Sequence, residues 1–257
     1  SADARHLAAS GTEPAATIWD TSTLERVAEI KGDGGITQAI AFHPDGRVAL
    51  GDNKGRLWLT NPFSDRPPLV LRASGSPILD AVINHTGDRL LVSCADGSLF
   101  LYDSRAGAFE SSDSVRPLAS LPSTNAVRVV RARGIAANPV AREFAIGSGD
   151  QRVRIVAADT LETIREFPIP DEVSPRLDYI RDGSILAISG LARLSRFYDP
   201  ATGAVLATLD APNGTVNDGR FTPDGKHFLN LGWWYLQVWN VETRRIDHVE
   251  RIEREAG

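Results

Sequence analysis

Short apolar runs that end in an aromatic residue followed by an acid or amide recur along this chain at a nearly constant interval, and that interval restricts the fold more than any other feature. Trp19-Asp20, Tyr102-Asp103, Tyr198-Asp199 and Trp239-Asn240 are the clear copies. Aligning the flanking runs adds Thr60-Asn61 in GRLWLTN and Val156-Ala157 in DQRVRIVAAD. The second residues stand at 20, 61, 103, 157, 199 and 240, so successive intervals are 41, 42, 54, 42 and 41: one period with one insertion. Polar turns built on a glycine form an independent marker, at His43-Pro44-Asp45-Gly46, His85-Thr86-Gly87, Arg181-Asp182-Gly183 and Thr222-Pro223-Asp224-Gly225. From each of these glycines to the next repeat end is 15, 16, 16 and 15 residues, so both markers belong to one unit. Proline presets φ for such turns, and glycine accepts a positive φ.

Between the markers, runs such as ITQAIAF, SLFLY and YLQVW carry the β-branched, aromatic, period-two character of half-buried strands, with no helical stripe. In the second unit, strands are expected near 36–42, 47–51, 55–60 and 68–72. Four short strands in a repeat of about 40 to 45 residues make a propeller blade, because one small sheet hides both faces only when neighbours stack on it. The expectation is an all-β fold, a β-propeller of about six four-stranded blades forming a single domain over 1–257. A composition of 42% apolar and 24% charged residues, with 22 Gly and 15 Pro, suits a turn-rich globular chain.

The set of motifs TIWD at 17–20, FHPDG at 42–46, CADGSLFLYD at 94–103, SGDQRVRI at 148–155 and FTPDG at 221–225 resembles WD-repeat β-propellers over nearly the whole chain. The sequence departs from that family in lacking the Gly-His pair before the first strand. Gly32-Asp33 stands in its place once, which removes the basis for expecting the histidine-centred network of such blades. Arginine greatly outnumbers lysine, which occurs only at 31, 54 and 226; this bias reads as genomic base composition and points to a bacterium.

Applied backwards from Asp20, the period puts the first unit's turn near residue 4, so its innermost strand is expected before residue 1. The first blade is therefore expected to be incomplete within the chain, which leaves a seven-bladed ring open. The chain contains no Met and begins with Ser, an expectation of a piece of a longer polypeptide that carries the missing strand. An unclosed propeller leaves strand edges that need covering.

Several chemistries lack their residues. The net charge of −5 argues against a nucleic-acid partner, which needs a large basic surface. No apolar run approaches the roughly 18 residues of a membrane span, and residues 1–10 lack the layout of a signal peptide, so a soluble, cytoplasmic chain without a membrane partner is expected. Cys94 is the only cysteine and is expected to be a buried small hydrophobe. Histidines 6, 43, 85, 227 and 248 have no mutual spacing that suits a metal, and no phosphate loop or nucleophile elbow occurs. No catalytic residue, metal or cofactor is assigned. The acids at 45, 96, 150, 182 and 224 read as turn residues that bond their own backbone.

The sharpest candidate is Gly232-Trp233-Trp234-Tyr235, which replaces the polar turn between second and third strands; other units have Asn53-Lys54, Ala95-Asp96 and Asp150-Gln151 there. In the resembling family these turns lie on the usual docking face. Adjacent exposed aromatics at such a tip mark a partner site; the competing expectation is that Trp234 and Tyr235 pack inward. Arg152 and Arg193, with Arg131, Arg133 and Arg176 near the starts of inner strands, and Asp178 and Asp218, are expected to add a rim of mixed charge suited to a peptide or protein. The surplus of the third unit, 109–125, reads as a long loop or an extended connection. The expected function is a non-catalytic scaffold or regulatory module that binds a protein or peptide, or another domain of its parent chain, on one face. WD-repeat regions resembling this one often follow an enzymatic domain such as a caspase-like protease or kinase. The alternative is a propeller enzyme or ligand binder of lactonase-like or quinoprotein-like kind, with chemistry at the central channel.

Overall fold

The computed structural model describes residues 1, 3–11, 14–105, 117–121, 134–170, 175–190, 194–210 and 216–252. These residues form strands and turns, with no helix among them. The first sheet holds β1 (His6–Ser10), β2 (Ala15–Asp20) and β3 (Arg26–Lys31). The second holds β4 (Thr37–Phe42), β5 (Val48–Asp52), β6 (Arg56–Thr60) and β7 (Leu69–Arg72), and the third β8 (Ile78–Ile83), β9 (Arg89–Cys94), β10 (Leu99–Asp103) and β11 (Ala119–Leu121). The fourth comprises β12 (Ile135–Ala137), β13 (Glu143–Ser148), β14 (Arg152–Ala157) and β15 (Thr163–Pro168). The fifth comprises β16 (Arg176–Tyr179), β17 (Leu186–Ser189), β18 (Leu194–Tyr198) and β19 (Val205–Asp210), and the sixth β20 (Val216–Phe221), β21 (His227–Gly232), β22 (Tyr235–Asn240) and β23 (Arg245–Arg251). Every sheet is an antiparallel meander in chain order, the six-blade β-propeller architecture that the repeat interval predicts.

The recurring end residue has a local job. Asp20 accepts the N–H groups of Ser22 and Thr23, Asn61 that of Phe63, Asp103 that of Arg105, Asp199 that of Ala201, and Asn240 that of Thr243. Each side chain thereby closes the turn from the third to the fourth strand in the manner of an Asx turn. At Asp20 the Ser22 hydroxyl and these N–H groups hold the carboxyl down at about 2. The glycine marker is explained as directly, since Gly46, Gly87, Gly183 and Gly225 all have φ between 71° and 92°. The second-unit strands lie within one residue of their expected bounds.

The chain divides into two compact units, Ser1–Arg131 with Ala158–Leu161, and Ala132–Ala157 with Glu162–Gly257. In the first unit, Ala16, Ile18 and Ile30 of the first sheet pack on Val48, Leu50 and Trp58 of the second. The second sheet in turn packs on the third through Ala39, Leu57, Ile78, Leu90 and Val92. In the second unit, Ala145, Val153 and Phe167 meet Leu177, Leu186 and Ile188, and Phe197 meets Phe228 edge-on. Removing this apolar surface from water is the main favourable term in such stacking. Approach between sheets is close enough that a side chain at Gly51 would put its Cβ 2.8 Å from that of Ile78. The second strands β5, β9, β13 and β17 are accordingly buried almost throughout.

The first sheet has three strands among the described residues, and because β2 ends in Trp19-Asp20, β1 corresponds to the second strand of the other sheets. Of the expected insertion 109–125, residues 119–121 form β11, the fourth strand of the third sheet; 109–116 and 122–125 lie outside the described residues. No helix of the described residues is long and apolar enough to cross a membrane. Cys94 is buried, and burial pushes its thiol up to about 11.

Candidate functional site

The aromatic turn closes the hairpin of β21 and β22. Beneath it, Asn230 and Gln237 face each other across the ladder and are both buried. Gln237 Oε1 accepts Asn230 Nδ2–H and Trp239 Nε1–H, each at 3.3 Å, and Asn230 Oδ1 accepts the Ser195 hydroxyl of β18 at 3.0 Å. Buried amides need such partners, and this set fixes the hairpin's base. The tip is tethered as well, because the Trp234 carbonyl accepts the N–H of Ile252 at 2.8 Å.

Above this base the surface is apolar. Trp233 is 50% exposed, Trp234 52% and Leu231 39%, whereas Tyr235 is only partly exposed and pairs with Arg251 on β23. Two half-exposed indoles beside an exposed leucine leave a large rigid apolar area in water, with N–H donors within the same patch.

The remaining candidates occupy different settings. Arg152, at the start of β14, contacts Glu166 at 2.9 Å, and Arg154 contacts both Asp150 and Glu166, so this corner of the fourth sheet is charge-compensated. Arg176 donates from Nε to the Asn217 carbonyl on the neighbouring β20. Asp178 accepts the Phe221 N–H at 2.8 Å and meets Arg220 at 3.3 Å. Burial pushes the Asp178 carboxyl above its ordinary value, against the pull of the Arg220 guanidinium. Asp218 accepts the Gly219 N–H and lies 3.8 Å from Arg220. Arg176 and Asp178 thus link the first strands of the fifth and sixth sheets, whereas the contacts of Asp218 stay within β20. Arg131, Arg133 and Arg193 lie outside the described residues.

One functional-looking residue was not singled out by the sequence reading. Asp52, 2% exposed at the end of β5, accepts the N–H groups of Lys54 and Arg56, Arg56 Nε–H at 2.7 Å and Trp58 Nε1–H at 3.2 Å. Burial alone would raise its carboxyl; the Arg56 and Trp58 hydrogen bonds outweigh that and hold it below the ordinary value of 3.8. Arg56 also ion-pairs with Asp33 and lies 5.1 Å from the Trp58 ring. The legible signal was the alternation Asp52, Arg56, Trp58, which places three polar-tipped side chains at one hairpin. His43 serves a turn, its Nε2 contacting the Gly87 carbonyl at 2.5 Å, whereas His227 at the start of β21 meets Asp247 of β23 at 3.2 Å. Among the described residues, no group of three or more His, Cys, Asp or Glu side chains is placed to hold a metal.

No protein-family model matches this sequence, and no curated protein matches it.

Proposed function

We propose that the chain is a non-catalytic interaction module of the WD-repeat kind that binds a protein or peptide segment, its principal contact being the β21–β22 hairpin. The observation that carries this reading is the half-exposed pair Trp233 and Trp234 on a hairpin whose base is fixed by buried hydrogen bonds. A preorganised aromatic pair loses little conformational entropy on binding, and such residues dominate interface energetics. Tyr235 and Leu231 extend the patch. Arg152, Arg176, Asp178 and Asp218 contribute mixed charge within the same unit, largely engaged with protein groups already. A further strand, from the parent polypeptide or from a partner, pairs along β1 and completes a four-stranded first sheet. That part of the proposal is supported by the three-strand order of the first sheet and the exposure of Leu7 on β1. In such an arrangement the module serves as scaffold or regulator for the bacterial protein or domain that supplies that strand.

Selection from a random peptide display library tests the reading. Peptides enriched on the unaltered protein are expected to lose at least about 2 kcal/mol of affinity for Trp233→Ala or Trp234→Ala. Equal binding by the variants, or no enrichment at all, rules the hairpin out as the principal contact.

A further inference from the structure

A second candidate site lies in the other unit and stands independently of the aromatic hairpin. A cleft of about 610 Å³ opens beside the β5–β6 hairpin, lined by Lys54, Arg56, Val70, Leu71, Arg72 and Gly75. Its size falls within the range of small-molecule sites, roughly 300–1,000 Å³. Three of the six lining residues are cationic and none is acidic, in a chain whose net charge is −5.

The cleft is built by the backbone. Gly55, at φ +76°, accepts the N–H groups of Ala73 and Ser74 on its carbonyl, which draws the segment after β7 against the hairpin. A Cβ at that position would lie 2.6 Å from the Ser76 carbonyl oxygen, so only glycine permits the approach. This fold of the chain sets Arg72 and Gly75 beside Lys54.

The charges are unbalanced in a way that points outward. Arg56 and Arg72 stand directly opposite each other on β6 and β7, and like charges so placed are destabilising. Asp52 and Asp33 compensate Arg56. Among the described residues, neither Lys54 nor Arg72 is ion-paired. The fourth sheet shows the compensated version: Arg152 occupies the place of Arg56, faces Pro168 across the ladder, and pairs with Glu166. Among the described residues, the second sheet thus keeps two cations without an ion pair at one cleft, with the partly buried Val70 on the same face as Arg72.

We propose that this cleft binds a phosphate monoester. Lys54 and Arg72, neither ion-paired among the described residues, match the dianion of such a group, and Val70 offers apolar contact to the organic body attached to it. Guanidinium offers phosphate a planar pair of donors, and the lysine ammonium adds a point charge. A phosphorylated side chain of a protein and a small phosphorylated metabolite share this chemistry.

Calorimetric titration of the whole chain with phenyl phosphate and with a short phosphoserine peptide is the test. Saturable binding of at least one probe is expected, weaker at pH 5 than at pH 7.5 because the second phosphate ionisation lies near about 6. Arg72→Ala and Lys54→Ala, both at exposed positions, are each expected to weaken it by about tenfold or more. Lys226→Ala, an exposed lysine of the sixth sheet, is expected to leave it unchanged. Tighter binding of the peptide identifies a phosphorylated protein as the source, and tighter binding of phenyl phosphate a metabolite. Absence of saturable binding by both probes, or unchanged binding in Arg72→Ala with an unchanged melting profile, overturns the proposal.

Discussion

The β5–β6 and β21–β22 hairpins join the same pair of strands in their sheets, yet they are held by opposite chemistry. At the first, a buried carboxylate, Asp52, gathers the backbone of the turn, the Arg56 guanidinium and the Trp58 indole. At the second, a neutral amide, Gln237, holds the Trp239 indole and the Asn230 side chain. Each anchor satisfies a buried indole N–H, as burial requires. What they support differs: the ionic anchor presents cations at its tip, and the neutral one presents indoles. The difference teaches that these sheets need a polar acceptor beneath the hairpin but leave the tip free, so binding character resides in a few turn residues on a common frame.

Removing the ionic anchor is expected to have the largest effect. Asp52→Ala leaves the Arg56 guanidinium to Asp33 alone and the Trp58 N–H unmet, and chemical denaturation is expected to show a loss of about 3–5 kcal/mol. A loss below about 1 kcal/mol would mean that Asp33 alone suffices for Arg56. Gln237→Leu removes the neutral anchor while keeping bulk, leaving the Asn230 and Trp239 donors unmet; about 1–3 kcal/mol is expected. A cost equal to that of Asp52→Ala would erase the contrast between the two anchors.

Acid separates them in another way. Asp52 has a folded-state carboxyl below the ordinary 3.8, so its contribution is complete above about pH 4 and is lost as pH falls through the lowered value. Gln237 does not titrate. Hydrogen exchange below pH 4 is therefore expected to show amides of β5 and β6 losing protection ahead of those of β21 and β22, and the reverse order would contradict the assignment. The smallest stability effect belongs to the tips: Trp233→Ala is expected to change unfolding free energy by less than about 0.5 kcal/mol, since the side chain is half exposed.

The fold was legible because its period is written in residues with local duties. Asp20, Asp103 and Asp199 close turns through their own backbone neighbourhoods, and Gly46 and Gly225 take positive φ, so each mark is readable without any knowledge of distant contacts. Ala157 has no acceptor side chain, and only its flanking strand pattern betrayed that copy. The aromatic hairpin was legible for the opposite reason, as a turn that breaks the polar rule of its equivalents. Contacts set by register were not legible. Arg56 and Arg72 are 16 positions apart in the chain, and only the β6–β7 pairing brings them face to face. Asp178 reads in sequence as part of a rim of mixed charge, but its bond to the Phe221 N–H depends on how the sixth sheet packs on the fifth.

Hydrogen–deuterium exchange with and without a display-selected peptide tests the central claim most directly. Slower exchange across residues 230–236, with the Trp233 indole N–H protected as well, is the outcome this account predicts. A footprint confined to other sheets, with the β21–β22 hairpin exchanging at its free rate, would contradict it.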